Sequence, residues 1–322
     1  MPHADQAPTV LVPYTGPADG PEAEDIFIYL RPETNGVEVE SRLMRVIKQC
    51  PAYHNGLDLV YMANLPGEYM LEQHVVEKHY RHKLHFAVHG KQAFTPWMQT
   101  AFESQTGESF ETANILGAFE ALHVLQMEPE GMFARWVDES QICIIAGQTL
   151  KHLDEAWVVA SDIPAVLHKN NRGTDIAVML FRSRVGYSYF EELVQEMYEQ
   201  IIDAGLVNPR LPLNRIFHYS RGPFEQILDG LGYLVDGNGS PHPVEDLGFA
   251  RYCSRSGIDT EALLGVIQNP LFGWVNRQGV YFEDDVFRMT EHATYRAAIE
   301  RLDTAVTQVL LRAPSVVISP QG

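Results

Sequence analysis

The strongest constraint on the fold of this chain is an order of strand, glycine and helix that occurs twice. Residues 175–197 align without a gap to residues 25–47, at a constant offset of 150 residues. Each segment joins a short apolar run, typical of a strand, to a run with apolar residues at helical spacing. The match indicates either an internal duplication or two unrelated units built from the same few residue types. The identical pairs are Asp25/Asp175, Ile26/Ile176, Leu30/Leu180, Gly36/Gly186 and Leu43/Leu193.

Strands and helices alternate along much of the chain, which predicts an α/β fold or a mixed α+β fold. We expect a helix-flanked, mostly parallel or mixed sheet, in two related halves if the repeat is a duplication, with a helical C-terminal part. The predicted organisation is an irregular N-terminal arm (1–24), an α/β domain (25–244) and a helical C-terminal subdomain (245–322). Strands are predicted at 25–30, 57–63, 84–89, 175–181 and 214–219, a hairpin at 133–147, and helices at 66–83, 223–232 and 290–311.

The formal net charge of −18 restricts the partners of this chain. An acidic protein repels nucleic acid and anionic membrane surfaces, so we expect neither as a partner. No apolar run approaches the roughly 20 residues of a membrane-spanning helix, and the N-terminus lacks the basic and apolar regions of a signal peptide. The widely spaced Cys50, Cys143 and Cys253 form neither a disulfide framework nor a cysteine zinc site, which favours the cytoplasm.

Residues 74–91, HVVEKHYRHKLHFAVHGK, form a basic segment that holds five of the thirteen histidines. The pattern divides it into a helical part, predicted to be a solvated face, and a strand that ends at His89. His85 and His89 lie four residues apart on that strand and therefore point to one side. Two such imidazoles could bind a metal ion if an aspartate or glutamate joined them.

Four of the predicted strands each end beside a basic residue and a nearby glycine. In open α/β sheets, ligands bind beyond the carboxyl ends of the strands. Helix N-termini and arginine forks at such a place suit phosphate or carboxylate, and glycine lets the backbone approach closely. The sequence therefore predicts a binding site for a small anion. Its candidate ligand-binding residues are Arg31, Gly90, Lys91, Arg182, Arg184 and Arg221.

Two residues at these strand ends are candidates for proton transfer. His89 is flanked by cations that favour a neutral imidazole, able to act as a base near pH 7. Glu33 follows Arg31 and is either an acid or base, or the partner of Arg31 in an ion pair. The chain contains no phosphate-binding glycine motif and no nucleophile elbow, so these residues do not name a reaction.

Three functions are compatible with these patterns. The first is an enzyme that binds a small phosphorylated or carboxylated metabolite, its reaction unknown. The second is a non-catalytic ligand-binding or sensory module, and the third is a metal-binding protein that uses His85 and His89. No cofactor is indicated. The apolar stripe of the last predicted helix, 290–311, is a candidate surface for forming a homo-oligomer.

Overall fold

A computed structural model of the chain describes residues 7–17, 23–32, 34–209 and 213–311. The described residues fall into two compact units, each assembled from separate stretches of chain. The first unit draws on Met1–His79, Lys169–Ile267 and Thr290–Leu302, and the second on Tyr80–His168, Gln268–Met289 and Asp303–Gly322. The sequence predicted contiguous segments, whereas residues 245–322 contribute to both units.

Helices and strands are interspersed along the described chain. The strands are β1 (Thr9–Val12), β2 (Glu24–Leu30), β3 (Leu57–Leu65), β4 (Ile115–Gly117), β5 (Ile142–Ile145), β6 (Gln148–Leu153), β7 (Ala156–Val159), β8 (Ile176–Ser183), β9 (Phe217–Tyr219), β10 (Leu271–Val275), β11 (Tyr281–Asp285) and β12 (Thr307–Gln308). The helices are α1 (Val37–Gln49), α2 (Gly67–Glu72), α3 (Val75–His79), α4 (Arg81–His89), α5 (Pro96–Thr106), α6 (Ala118–Val124), α7 (Pro129–Ala134), α8 (Ile163–Lys169), α9 (Gly186–Asp203), α10 (Pro223–Tyr233), α11 (Gly248–Arg255), α12 (Thr260–Gln268), α13 (Val286–Met289) and α14 (Tyr295–Asp303).

The first unit is built on a five-stranded sheet in the order β1-β3-β8-β2-β9. Every neighbouring pair in it is antiparallel. The elements β2-α1-β3 and β8-α9-β9 supply four of its five strands, and β1 adds the fifth at the edge beside β3. The arrangement of the four strands is the split βαβ order of ferredoxin-like folds. The expectation of a mixed α/β fold is confirmed, whereas the antiparallel sheet of this unit corrects the expectation of a mostly parallel one.

The sheet of the first unit is covered on both faces, which explains why every residue of β2 is buried. Ile26, Ile28 and Leu30 point to one face and pack with the apolar sides of α1 and α9. Side chains alternate along a strand, so Phe27 and Tyr29 point to the other face, where α10 packs. The apolar side chains of this strand are thus divided between two layers, one on each face of the sheet.

The two segments of the sequence repeat adopt the same local structure within this sheet. Residues 25–47 form β2 and most of α1, and residues 175–197 form β8 and most of α9. The strands pair directly, with Asp25 opposite Arg182 and Tyr29 opposite Val178. The repeated strand–glycine–helix pattern is therefore confirmed as structure, and a duplication as its origin stays a prediction.

The second unit contains two smaller sheets. A four-stranded sheet has the order β4-β7-β6-β5, with β4 and β7 parallel and the other pairs antiparallel. A three-stranded antiparallel sheet has the order β11-β10-β12. The core of this unit contains side chains from α4 and α5, including Phe86 and Phe102, packed with β4–β7.

Several predicted elements differ from the structure. Residues 84–89 were expected to be a strand, but they form the end of helix α4, because a short apolar run fits either period and its buried side chains lie on one helical side. The predicted helix 66–83 is divided into three, with His74 at a φ of 50° between α2 and α3. The hairpin pairs β5 with β6, so 133–137 is not one of its strands.

The C-terminal part is less helical than predicted. Helix α14 ends at Asp303 and the chain continues into β12, so 290–311 is not one helix. The segment that was expected to be an irregular arm contains strand β1, which pairs with β3. The helix Pro223–Tyr233 confirms the prediction for 223–232. No helix within the described ranges is both long and apolar enough to cross a membrane.

Candidate functional site

Three side chains with metal-ligand chemistry meet inside the first unit. His79 ends α3, His218 lies in β9 and Asp229 lies in α10, and one ligand atom from each is within 4.8 Å of the other two. Nδ1 of His79 lies 3.4 Å from Oδ1 of Asp229, and Nε2 of His218 lies 3.1 Å from Oδ2. The exposed fractions of the three side chains are 5%, 12% and 0%. We call them the His79–His218–Asp229 cluster.

The fold brings these residues together through the packing of α10 on the sheet. Pro223 begins α10, and Gln226, Asp229, Gly230 and Tyr233 form a buried side at helical spacing. Asp229 is thus placed on a buried side of α10, which packs against β2 and α3. Gly232 lets α3 come close, since a Cβ there would lie 2.6 Å from Cγ1 of Val75.

Aromatic rings fix the two imidazoles. Tyr29 and His218 are opposite each other on β2 and β9, and their rings stack with centroids 4.4 Å apart. Tyr233 also stacks on Tyr29, with centroids 4.3 Å apart. His79 lies edge-on to His218 and to Tyr233, at 5.6 Å and 5.9 Å. This packing leaves the imidazole rings little freedom to turn away from the carboxylate.

Ser220 ties the carboxylate to the backbone of the sheet. Its hydroxyl donates to Oδ2 of Asp229 at 2.7 Å and accepts a hydrogen bond from the Phe27 backbone N–H at 3.0 Å. The backbone N–H of Ser220 in turn donates to the Phe27 carbonyl. Ser220 is completely buried, so the orientation of the Asp229 carboxylate is set by β2.

The electrostatic surroundings of Asp229 are dominated by burial and by cations. Burial raises the pKa of its carboxyl group to about 6. His79, the hydrogen bond from Ser220, and the charges of Arg31 and Arg221 oppose this rise. The carboxylate is therefore costly to ionise unless a positive charge lies beside it.

Two of the predicted ligand-binding arginines lie close enough to influence this cluster. Arg31 follows β2, and its Cζ lies 5.5 Å from the centre of the Tyr29 ring. Arg221 follows β9 and contacts two carboxylates, Glu291 at 2.8 Å and Glu225 at 3.8 Å. The charges of both arginines act on Asp229.

The other two predicted arginines of the first unit lie at the opposite end of the sheet from Arg31. Arg182 is opposite Asp25 in the β2–β8 register, six residues or about 20 Å along the strand from Arg31. The expectation that these strand ends share one side is wrong, because β2 and β8 are antiparallel. Arg182 pairs with Asp25 at 2.9 Å, and Arg184 pairs with Asp58 at 3.7 Å.

The predicted histidines of the second unit lie together on α4. His85 and His89 are four residues apart on a helix, so they still share a side, and their ring centroids are 4.8 Å apart. Burial, followed by the neighbouring His89, lowers the pKa of His85 to about 4. Burial lowers the pKa of His82 to about 3. The pair was thus expected on a strand but lies on a helix. Metal binding by this pair stays a prediction.

Gly90 and Lys91 make internal contacts in the second unit. A Cβ on Gly90 would lie 2.4 Å from the Gly117 nitrogen, and the φ of Gly90 is 50°. Glycine at this position therefore allows the two backbones to lie close together. The ammonium of Lys91 donates to the carbonyls of Glu111 and Ala113, at 2.8 Å and 3.0 Å. Lys91 also borders a surface cavity of about 630 Å³. Glu33, the second predicted acid or base, lies outside the described residues.

The sequence patterns did not predict the His79–His218–Asp229 cluster. His79 was assigned to a solvated face, but it is buried against Tyr29 and Tyr233. No sequence signal pointed to Asp229, because on the predicted helix it lies on the side of Glu225 and Gln226, opposite the apolar side. Comparisons of the chain with models of protein families, with curated proteins and with solved structures find no match. The chemistry of the cluster itself is therefore what indicates a function.

Proposed function

We propose that this protein binds a divalent first-row transition metal ion, such as Zn²⁺, at the His79–His218–Asp229 cluster. The observation that carries the proposal is the convergence of two imidazole nitrogens and a carboxylate within 4.8 Å in a buried place. Ligands about 2.0–2.1 Å from a tetrahedral ion are about 3.3 Å apart. The nitrogen-to-oxygen distances are near that spacing, and they involve both carboxylate oxygens, with 3.4 Å from His79 to Oδ1 and 3.1 Å from His218 to Oδ2.

The ligand types favour one class of ion. Imidazole suits Zn²⁺, Fe²⁺ and Co²⁺, whereas Mg²⁺ and Ca²⁺ prefer sites made of oxygen alone. A bound dication would also supply the positive charge that the buried Asp229 carboxylate needs. The fixed orientation of Asp229 through Ser220 is the kind of outer support that metal ligands commonly have.

The other predicted functions remain proposals beside this one. An enzyme acting on a small anionic metabolite and a non-catalytic binding module are both compatible with a bound ion. We keep the cytoplasm as the proposed location, which the free state of Cys50, Cys143 and Cys253 supports. Exclusion of nucleic acid stays a proposal that rests on the net charge of −18.

Metal titration of protein made without a histidine tag tests the proposal. After treatment with a chelator, the protein is titrated with Zn²⁺ by calorimetry and with Co²⁺ by visible spectroscopy. We expect one ion per chain and a Co²⁺ spectrum typical of mixed nitrogen and oxygen ligands. His218→Gln and His79→Gln should each weaken binding at least about tenfold, with folding checked by circular dichroism.

The chain offers a matched control for this titration. The double variant His85→Gln/His89→Gln removes the other close pair of imidazoles, on α4, and should keep the affinity of the original protein. Unchanged affinity in both cluster variants would overturn the proposal. Loss of binding in the α4 variant alone would instead place the ion at the pair predicted from the sequence.

A further inference from the structure

The cluster provides fewer ligands than a transition metal ion normally takes. Zinc usually has four, and where the protein supplies three the last position holds water or a substrate. The hydroxyl of Ser220 beside Asp229 is already engaged, since it donates its proton to Asp229 and its oxygen accepts from the Phe27 N–H. Within the described part of the chain, His79, His218 and Asp229 form the group at ligand distances, so an ion held by them has at least one position left for a further ligand.

The charges around that position favour an anion. A dication against the single carboxylate of the cluster leaves an excess of one positive charge, if both imidazoles are neutral ligands. Arg31 and Arg221 add positive potential at Asp229. An unbalanced charge is costly in a buried place, and an anionic ligand on the ion would reduce that cost.

Arg31 lies where it can act on such a ligand. Its guanidinium is over the ring of Tyr29, and the same ring stacks on His218. His218 is also the most exposed member of the cluster, at 12%, so the accessible side of the cluster is the side of His218. A guanidinium there suits the paired oxygens of a carboxylate or phosphate.

We infer that the metal ion takes a small oxyanion, a carboxylate or phosphate, as its outer ligand, and that Arg31 stabilises this anion. The inference rests on the proposed metal site, which it deepens by naming a ligand class. It also keeps Arg31 from the anion site predicted from the sequence, whereas the metal ion predicted there was assigned to His85 and His89, which are not part of this cluster.

The test uses the full chain loaded with Co²⁺ and two probes, acetate and inorganic phosphate at concentrations that leave Co²⁺ soluble. Binding of the anion to the ion should shift the visible Co²⁺ bands. The anion should also lower the apparent Co²⁺ dissociation constant by about fivefold or more, since coupling between two ligands is reciprocal. Acetate and phosphate separate the two oxyanion classes.

Substitutions of arginine show whether Arg31 is responsible. Arg31→Gln should still bind Co²⁺ but should reduce the effect of the anion to less than about twofold, and Arg31→Lys should keep part of it. Arg184→Gln is the control, since Arg184 pairs with Asp58 beyond the opposite end of the sheet, and it should leave the coupling unchanged.

The outcomes distinguish the inference from the proposed function. If Co²⁺ binds but neither anion changes its spectrum or affinity, the inference is overturned and the metal site stands. An anion effect that is equal in Arg31→Gln and in the original protein overturns the role of Arg31. If no Co²⁺ binds, the proposed function fails, and the inference fails with it.

Discussion

At the scale of single residues, Glu24 is a buried carboxyl group whose protonation is coupled to folding. Burial raises its pKa from 4.5 to about 7, against a smaller opposing effect of a backbone hydrogen bond at Tyr295. The unfolded chain ionises Glu24 at lower pH than the folded one does. The stability that protonated Glu24 contributes is therefore complete below about pH 4.5 and is lost as the pH rises to about 7.

Glu24→Gln should remove this dependence, because glutamine stays neutral throughout. We expect the variant to be more stable than the original protein at pH 8, by up to about 3 kcal/mol, and equal to it near pH 4. Urea unfolding at a series of pH values gives the difference. A constant difference for Glu24→Gln between pH 4 and pH 8 would contradict the prediction.

Ser220 belongs to the same scale, because one hydroxyl serves two buried groups. Ser220→Ala leaves the Phe27 N–H without its side-chain acceptor and removes the donor to Asp229. We expect the free energy of unfolding to fall by about 1–3 kcal/mol, measured by urea unfolding at pH 7. Ser41→Ala, on the exposed side of α1, should change it by less than about 0.5 kcal/mol. Equal changes in the two variants would contradict this role.

The candidate site shows why residues in contact are hard to predict from sequence. His79, His218 and Asp229 are separated by 139 and 11 positions and meet only through the packing of α10 on β2 and α3. Periodicity predicts which side of one helix is apolar, but it does not tell which side chains of other elements reach that side. Even Asp229 is not marked by its own helix, because helical spacing puts it on the side of Glu225 and Gln226, opposite the apolar residues.

At the scale of elements, α4 shows the limit of a local pattern. The apolar pattern of Leu84, Phe86 and Ala87 was compatible with a strand or a helix. In the structure they form part of a helix and pack in the core of the second unit. That His85 and His89 share a side was predicted nevertheless, because residues four apart share a side in a strand and in a helix. Only the helix, however, brings their ring centroids to 4.8 Å.

The end of α4 approaches β4 at two glycines, and this approach can be tested. A Cβ on Gly117 would lie 2.4 Å from the Ala87 carbonyl oxygen, whereas the φ of Gly117, −69°, suits alanine. Gly117→Ala should therefore lower the free energy of unfolding by steric overlap alone, by about 1–3 kcal/mol. Gly131→Ala, in α7 with open space around it, should be neutral or stabilising by up to about 1 kcal/mol. Thermal and urea unfolding compare the two, and a neutral Gly117→Ala contradicts the close packing.

At the scale of the whole molecule, the sequence predicted the kinds of element better than their arrangement. The strand–glycine–helix segments at 25–47 and 175–197 were found correctly, but nothing in either segment determines whether its strand runs parallel or antiparallel to the other. Direction depends on how the whole chain places its strands, and β8 is inserted between β2 and β3 and runs antiparallel to both. Because the strand direction was predicted wrongly, Arg182 and Arg184 were expected at the same end of the sheet as Arg31, whereas they lie at the opposite end.

Each unit has its own set of buried aromatic side chains, which leads to a prediction for the whole chain. Phe190, in α9, is completely buried with the strands of the first unit. Phe102, in α5, is completely buried with Phe110 and Trp157 in the second. Shortening either side chain to leucine should cost about 1–2 kcal/mol, because buried contacts within its own unit are lost.

Amide hydrogen exchange under native conditions can locate that loss, since protection reports the stability of each region. Phe190→Leu should reduce the protection of amides in β2, β3 and β8, and Phe102→Leu should reduce it in β5, β6 and β7. The two variants are controls for each other, because they remove the same atoms from different cores. If both variants lowered protection equally across all six strands, the two cores would unfold as one, and the division of the chain into two units would have no energetic meaning.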